Sequence, residues 1–353
     1  MRVGISLLTL APGQLGGSET YVRALTRALA STGTLEYTAL VPAHCADAAS
    51  GLNSVPVREL AGVRSGGGRI LSMRVAAQLS SSLKHAGAEL DVVHFPLTVQ
   101  VRPFGRPTVV TLHDLQHRDL PELFSRPTRA FRRLAYDRAP RRAAAVIVPS
   151  RFVQERVVEE LGLASERVHV IPHGVDHTVF APGKEEREPF LLYPARPWPH
   201  KNHARLFAAF ELLRSELPEL RLVLTGAGVD GLQGLPGGAE VLGDMPAARL
   251  AALYRTAACL VFPSLYEGFG LPPLEAMACG CPVAASNVGP IPEICGEAAV
   301  YFDPRDPEAI ANGVREALAL ADELRELGLA RAAGFTWEQS ARGHENVYRA
   351  AGA

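Results

Sequence analysis

The 353-residue chain has few of the features that mark several large classes of protein. It contains five cysteines, an odd number with no C-x-x-C pair, which argues against a disulfide framework and fits a reducing, cytoplasmic setting. Cys279 and Cys281 form a lone C-x-C in an apolar segment, where free thiols pack as small hydrophobes. No apolar run reaches the roughly 18 residues that a membrane-spanning helix needs.

Charge and targeting signals are also scarce. The formal net charge is −1, so no overall field would attract nucleic acid, and we expect no nucleic-acid partner. The N-terminal sequence MRVGISLLTLAPG has one arginine, a short apolar run and no small-residue cleavage site. It therefore predicts a first β-strand rather than a signal peptide.

Short apolar segments alternate with amphipathic helical stretches along the chain. Strand candidates in the first half are EYTALVP, DVVHFP, TVVTLHD and AAVIVPS; after a charged, proline-containing stretch the series restarts at FLLYPAR and includes RLVLTG, AEVLGD, CLVFPS and PVAASN. This alternation is typical of βαβ units with parallel sheets. It predicts an α/β protein with two Rossmann-like domains facing each other, over residues 1–180 and 190–335, joined by a linker at 181–189.

The end of the chain predicts one more helix, over residues 336–353. Thr336 is followed three positions later by Gln339, the spacing of a capping box.

A glycine-rich stretch, TGAGVDG at 225–231, follows a predicted strand with the spacing G-x-G-x-x-G. That spacing binds a dinucleotide only where the last glycine opens a helix. Here Pro236 and three further glycines follow, so we interpret the stretch as a plain turn. An NAD-dependent oxidoreductase stays as a distant alternative.

The segment SLYEGFGLPPLEAMAC at 264–279 places two glutamates, Glu267 and Glu275, around a glycine turn. The prolines suit the first turn of a helix that Gly280 can end, and we place Glu275 in that first turn, where the helix dipole favours an anion. A strand, a glycine turn and a helix N-terminus form a site for a diphosphate. The two carboxylates, which accept hydrogen bonds from vicinal hydroxyls, would flank it.

Cations should complete such a site. YPARPWPHKNHARL supplies Arg196 and Lys201 after the first strand of the second domain. A guanidinium clamps a phosphate with two hydrogen bonds and lysine adds a point charge. On spacing alone, exposed surface charge explains the two residues equally well.

These residues resemble the retaining glycosyltransferase family 4, which has the GT-B fold. The resemblance rests on the E-x7-E element from Glu267 to Glu275 and on the R-x4-K element of Arg196 and Lys201, with support from GGSETYV, TLHDL and IPHGVD, and it covers nearly the whole chain. It implies two domains across a cleft, with the last helix crossing back to the first domain.

The resemblance also implies roles for individual residues. Glu275 would bind ribose, Glu267 the donor sugar, and Arg196 with Lys201 the diphosphate, so no metal or cofactor is expected, consistent with the lack of any D-x-D sequence. Gly16 and Gly17 would approach the site from the first domain, where His113 would lie near the donor sugar. His94 and His173 lack that support from the resemblance, and we interpret His94 as structural rather than acceptor-contacting and His173 as a hinge position between the domains. The backbone turn over the sugar and diphosphate would be formed by Gly268, Phe269, Gly270 and Leu271.

The reaction implied is transfer of a hexose from a nucleoside-diphosphate sugar with retention of configuration. We favour front-face attack, because no carboxylate has the context of a covalent nucleophile. TLHDLQHRDLPELFS is similar to bacterial polysaccharide mannosyl- and rhamnosyltransferases of the family, which favours GDP-mannose over UDP- or dTDP-sugars and a glycan or polyprenyl-linked acceptor. Such a fold could also belong to a nucleotide-sugar epimerase or to a non-catalytic sugar-binding protein, but the intact E-x7-E and Lys201 argue against both.

An arginine-dense segment, residues 125–151, lies in the predicted first domain. It is either a solvated helix face or a surface for anionic membrane or a polyprenyl diphosphate. The second interpretation would place the protein peripherally at the inner face of a membrane.

Overall fold

A computed structural model describes residues 1–58, 69–101 and 104–353, without the side chains of 69–71. The chain divides into two compact units. The first consists of Met1–Gly174 and Trp337–Ala353, and the second of Val175–Thr336.

The first unit contains a seven-stranded sheet in the order β3-β2-β1-β4-β5-β6-β7, with every pairing parallel. Its strands are β1 (Arg2–Ser6), β2 (Glu36–Pro42), β3 (Asn53–Val57), β4 (Val92–Phe95), β5 (Thr108–Thr111), β6 (Ala145–Val148) and β7 (Val168–Val170). Its helices are α1 (Gly17–Thr32), α2 (Arg69–Leu79), α3 (Ser81–Glu89), α4 (Gln116–Asp119), α5 (Arg126–Tyr136), α6 (Arg138–Arg142), α7 (Arg151–Leu161) and the last helix of the chain, α14 (Trp337–Gly352).

Both faces of this sheet are covered. Val146 and Val148 belong to one apolar cluster while Ile147, between them, belongs to the other. Successive side chains of a strand point to opposite faces, so a strand that is buried on both faces reads as a continuous apolar run, as AVIV does. α14 packs on α1 and against β4, β5 and β6, so the end of the chain completes the first unit.

The second unit contains a six-stranded parallel sheet in the order β10-β9-β8-β11-β12-β13. Its strands are β8 (Glu188–Pro194), β9 (Arg221–Thr225), β10 (Ala239–Gly243), β11 (Ala257–Phe262), β12 (Val283–Ser286) and β13 (Val300–Phe302). Its helices are α8 (His203–Glu216), α9 (Ala247–Thr256), α10 (Leu271–Ala278), α11 (Ile291–Cys295), α12 (Pro307–Ala319) and α13 (Ala321–Ala332).

These two parallel sheets confirm the predicted α/β class with two Rossmann-like domains. The glycine-rich stretch after β9 is a turn, as predicted: Gly226 and Gly228 have positive φ, and only a 3₁₀ turn, Val229–Gly231, follows before β10. All five cysteines are buried and unbridged. In the part of the chain that the structure describes, no helix is both long enough and apolar enough to cross a membrane.

Candidate active site

The order of the second sheet reverses between β8 and β11. β9 and β10 lie beyond β8 on one side, and β12 and β13 lie beyond β11 on the other. In open α/β sheets, ligands bind outside the carboxyl ends of the strands at such a switch point. The segment that leaves β8 carries Arg196 and Lys201, and the segment that leaves β11 carries Glu267. Topology therefore brings together residues that the sequence separates widely.

Lys201 and Glu267 form an ion pair at this point. Lys201 Nζ donates to Glu267 Oε1 over 2.6 Å, and each side chain is only 13% exposed. The lysine also lies over the ring of Phe262, with 5.5 Å from Nζ to the ring centroid. A partly buried charge without a partner is costly, so Glu267 and the ring together stabilise the ammonium in place.

Arg196 lies in the same segment as Lys201. Its guanidinium carbon lies 5.3 Å from the centroid of the Trp198 ring, and Trp198 itself is 40% exposed. The indole ring stabilises the guanidinium through a cation–π contact. The role predicted for Arg196, a phosphate clamp, stays a prediction.

The glycine turn between the two glutamates contains a backbone conformation that residues with a side chain rarely adopt. Gly270 has φ +115°, and a Cβ there would lie 2.7 Å from Cδ1 of Ile291. Leu271 begins α10 and Pro272 lies in its first turn, as expected. The helix ends as predicted at Gly280, whose N–H donates to Met277 O over 2.9 Å, while Cys281 N donates to Ala276 O over 2.8 Å. This is a Schellman motif.

The prediction that Glu275 lies in the first turn of this helix is wrong. It is the fifth residue of α10, because the helix begins only at Leu271. Its half-buried carboxyl is positioned by Tyr254 of α9, whose hydroxyl donates to Oε2 over 3.3 Å. Burial raises the pKa of Glu275 to about 7, and the Tyr254 hydrogen bond offsets only part of that rise.

The two glutamates therefore differ in their surroundings. Glu267 lies beside a cation, whereas Glu275 has the neutral phenol of Tyr254 as its hydrogen-bond donor. Tyr254 was not identified from the sequence, because an aromatic residue on an amphipathic helix reads as core. It is indeed a fully buried core residue, and only its contact with Glu275 indicates a further role.

In the first unit, His113 follows β5 at its carboxyl end. Its Nε2 lies 2.9 Å from the carbonyl oxygen of Pro96, and Tyr21 meets the ring edge-on at 4.9 Å between centroids. A carbonyl only accepts, so Nε2 carries the proton and Nδ1 presents a lone pair. Burial lowers the pKa of His113, which keeps the ring neutral at neutral pH.

Tyr21, which contacts the ring of His113, belongs to a buried chain of hydrogen bonds. Ser340 O accepts from Nδ1 of His344 (2.7 Å), so His344 Nε2 accepts from Tyr21 Oη (2.8 Å). Tyr21 then accepts from the Thr111 hydroxyl (2.9 Å), and Thr111 accepts from His94 Nε2 (2.8 Å). Tyr348 Oη donates to His94 Nδ1 (2.8 Å) and ends the chain.

The carbonyl oxygen of Ser340 can only accept a hydrogen bond, and this fixes the donor and the acceptor of every other bond in the chain. Two of its members, His344 and Tyr348, belong to α14, so the chain anchors the last helix to the central strands. His94 is fully buried within it, which agrees with the structural role predicted for this residue.

The remaining predicted residues of the first unit lie at its loops. Gly16 has φ +55° and directly precedes α1, and Gly17 is the first residue of that helix. His173 stacks on Trp337 with 5.9 Å between ring centroids, directly before the boundary between the units. Its predicted role as a hinge stays a prediction. Over the described ranges, no three His, Cys, Asp or Glu side chains are grouped as a metal site would require.

Comparison with known proteins defines the class to which this fold and site belong. The solved sucrose-phosphate synthase of Thermosynechococcus elongatus superposes with a TM-score of 0.79 at 22% identity, over 99% of this chain and 98% of that one. Anabaena HepE in complex with UDP and glucose superposes with a TM-score of 0.74 at 18% identity, over 99% of this chain and 100% of that one. At these identities the likeness establishes the fold, which is GT-B.

Sequence comparison gives the family. The model for glycosyltransferase family 4 matches residues 15–179, and the model for glycosyl transferases group 1 matches residues 176–330. A D-inositol 3-phosphate glycosyltransferase of Geodermatophilus obscurus is 30% identical over 96% of this chain and 86% of its own length. The chain belongs to glycosyltransferase family 4.

Two relatives from Escherichia coli match a shorter part of the chain. O-antigen chain mannosyltransferase B is 37% identical over 45% of this chain and 45% of its own length. The serotype-specific mannosyltransferase WbdA is 32% identical over 57% of this chain and 28% of its own length. This chain thus matches less than half the length of these two relatives.

Proposed function

We propose that this protein is a retaining hexosyltransferase that uses a nucleoside-diphosphate sugar, with GDP-mannose as the first candidate. The acceptor is a glycan or lipid-linked glycan of a cell-surface polysaccharide. The observation that carries this proposal is the pair formed by Lys201 and Glu267 at the switch point of the second sheet. The names of the two Escherichia coli mannosyltransferases support mannose, whereas the UDP and glucose in the HepE complex make a UDP-sugar the second candidate.

Each residue has a role in this proposal. Arg196 and Lys201 bind the diphosphate and stabilise the negative charge that grows on it as the glycosidic bond breaks. Glu267 accepts hydrogen bonds from the hexose and Glu275 from the ribose. Lys201 donates a hydrogen bond to the Glu267 carboxylate. A carboxylate that already binds a cation is better suited to bind hydroxyls than to act as a nucleophile, and this supports front-face attack.

A ligand panel tests the class of donor. We expect GDP to raise the unfolding temperature more than UDP, dTDP, ADP or NAD, because a ligand at 100 times its Kd stabilises the native state by about 2.7 kcal/mol. Stabilisation by NAD alone would overturn the proposal. A larger response to UDP than to GDP would keep the class and change the donor.

A transfer assay tests the reaction. GDP release from GDP-mannose is measured with and without a panel of mannosides, and the anomeric configuration of the product is read by NMR. We expect the α-configuration of the donor to be retained and activity to persist in EDTA. An inverted product would contradict the retaining mechanism. Loss of activity in EDTA would show that the enzyme needs a metal.

Two lysines of the second unit provide a matched pair of variants. Lys201→Ala should lower kcat by at least 100-fold, because loss of one group that stabilises developing charge costs roughly 3 kcal/mol. Lys184→Ala removes an exposed lysine outside the site and should leave kcat unchanged. Near-normal turnover of Lys201→Ala would contradict the assignment of the site.

Membrane contact forms a separate part of the proposal, and it rests on α5. Phe131 is 39% exposed and Leu134 47% exposed, while Arg126 and Arg133 of the same helix are exposed as well. Exposed apolar side chains among arginines suit the surface of an anionic membrane. We therefore propose that α5 binds anionic lipid peripherally.

Vesicle co-sedimentation at low salt tests this contact. The protein should sediment with vesicles that contain phosphatidylglycerol but not with vesicles of phosphatidylcholine alone. The double variant Arg126→Glu/Arg133→Glu should lose binding, whereas Arg249→Glu/Arg305→Glu, the same change of charge at exposed positions of the second unit, should keep it. Equal binding by all variants contradicts a role for α5.

A further inference from the structure

Asn202 directly follows Lys201 and has an unusual backbone conformation. Its φ is +63°, in the left-handed region, and it lies between the 3₁₀ turn Pro199–Lys201 and the first residue of α8. Its side chain is buried, with the residue 4% exposed. Asparagine enters this region at lower cost than most residues other than glycine, so the position restricts what can replace it.

Every polar group of the Asn202 side chain is used. Nδ2 donates to Pro263 O over 3.0 Å and to Pro304 O over 2.7 Å, and Oδ1 accepts from Arg205 Nη1 over 3.0 Å. The orientation of the amide is fixed, because both proline carbonyls can only accept. The side chain therefore links the loop after β8 to the loop after β11 and to the loop after β13.

Hydrogen bonds of the residues on both sides of Lys201 in the sequence hold it against the loop after β11. On its C-terminal side, Asn202 binds Pro263, which opens the loop that leads to Glu267. On its N-terminal side, His200 O accepts from Leu265 N of that same loop over 2.8 Å. The carbonyl of Lys201 itself accepts from the Tyr193 hydroxyl over 2.6 Å.

We propose that Asn202 is a positioning residue, which holds Lys201 where its ammonium meets the diphosphate as the glycosidic bond breaks. The inference rests on the proposed transferase function. Asn202 does not touch the substrate in this proposal. It acts through Lys201, and a shift of about 1 Å in a group that stabilises developing charge costs on the order of 100-fold in rate.

The side chain needed at this position is narrowly defined. Glycine would supply the backbone conformation but no link. Aspartate has the same shape and tolerates the left-handed region, but an ionised carboxylate has no N–H to donate to two carbonyls. Asparagine combines the conformation with two donors and one acceptor.

The test is a double-mutant cycle between positions 202 and 201. Asn202→Asp and Asn202→Gly should each lower kcat at least tenfold, with the donor KM changed less than threefold. In a Lys201→Ala background, the same two substitutions should change kcat less than twofold. Asn312→Asp, the same replacement at an exposed position of α12, should leave kcat at the wild-type value.

Two results would overturn the inference. One is a kcat of Asn202→Gly within twofold of wild type. The other is an equal loss of kcat with and without Lys201, which would mean that Asn202 only supports the fold. Asn202→Gly keeps the backbone conformation, so the double-mutant cycle can be completed with this variant alone if Asn202→Asp does not fold.

Failure of the proposed function would be seen separately, as lack of turnover by the wild-type enzyme with GDP-mannose and with UDP-glucose. The cycle would then use the Kd for GDP from calorimetry, because GDP carries in full the charge that the donor develops only as its glycosidic bond breaks. We expect the two positions to be coupled by at least threefold, and additive effects would refute the role of Asn202.

Discussion

The pKa of Glu275 gives the donor affinity a defined dependence on pH. A carboxyl with a pKa of about 7 is about half ionised at neutral pH, and only the ionised form accepts hydrogen bonds from both hydroxyls of a ribose. The ionised fraction rises about tenfold between pH 6 and pH 8. We therefore expect the donor KM to fall about tenfold over that range.

Tyr254→Phe perturbs this carboxyl with little change of volume. The lost hydrogen bond, 3.3 Å long, stabilises the ionised form by about 1 kcal/mol, which corresponds to about 0.7 pKa units. At pH 7 the ionised fraction should fall from about one half to about one sixth. The donor KM should therefore rise about threefold at pH 7. It should rise by less than 10% at pH 9, where Glu275 is ionised in both the wild type and the variant.

The measurement is the donor KM from pH 5.5 to pH 9 for the wild type and three variants. Glu275→Gln removes the titrating group and should flatten the profile. Tyr301→Phe is the matched control, because its hydroxyl donates to the carbonyl of Gly296, a group that does not titrate. A flat wild-type profile, or an increase of KM in Tyr254→Phe that is the same at every pH, would refute the reasoning.

Three further predictions concern stability and the glycine turn. Thr111→Val should destabilise the first unit by about 2–3 kcal/mol in urea unfolding, because it leaves the buried Nε2–H of His94 without an acceptor; an unchanged midpoint would argue against the chain. Burial lowers the pKa of His344 to about 4 from 6.5, so the unfolded state binds more protons, and roughly 3 kcal/mol of stability present above pH 6.5 should be lost as the pH falls to 4; unfolding free energies that do not change between pH 7 and pH 4 would contradict this. Gly270→Ala should lower kcat/KM at least tenfold, because a Cβ at φ +115° would press on Ile291, and wild-type kinetics would show that the turn tolerates the strain.

The inner strands of both sheets and the edge strand β10 could be predicted from the sequence, but the other three edge strands could not. β2, predicted from EYTALVP, is found over the same seven residues. β3, β7 and β13, which end the two sheets, were not predicted. β7 and β13 have only three residues each, and β3 contains Pro56 and has three exposed residues among its five, so no apolar run marks it.

The candidate site could be predicted as a set of residue types but not as a set of partners. The glycine turn, the prolines and the cations follow from local chemistry and from the resemblance to the family. Tyr254 and Asn202 do not, because their roles depend on contacts with Glu275 and with Pro263 and Pro304 that exist only in the folded chain.

The two glutamates of the E-x7-E element illustrate why such partners matter. In the sequence they are equivalent acids on either side of a turn. In the fold, the switch point between β8 and β11 brings Lys201 to Glu267, while α9 places only a phenol against Glu275. Glu267 thus lies beside a cation, whereas Glu275 has a neutral donor, and burial raises the pKa of Glu275 because it penalises the ionised form. The chemistry of the element thus depends on which neighbour the topology supplies to each acid, and Tyr254→Phe tests that dependence at Glu275 alone.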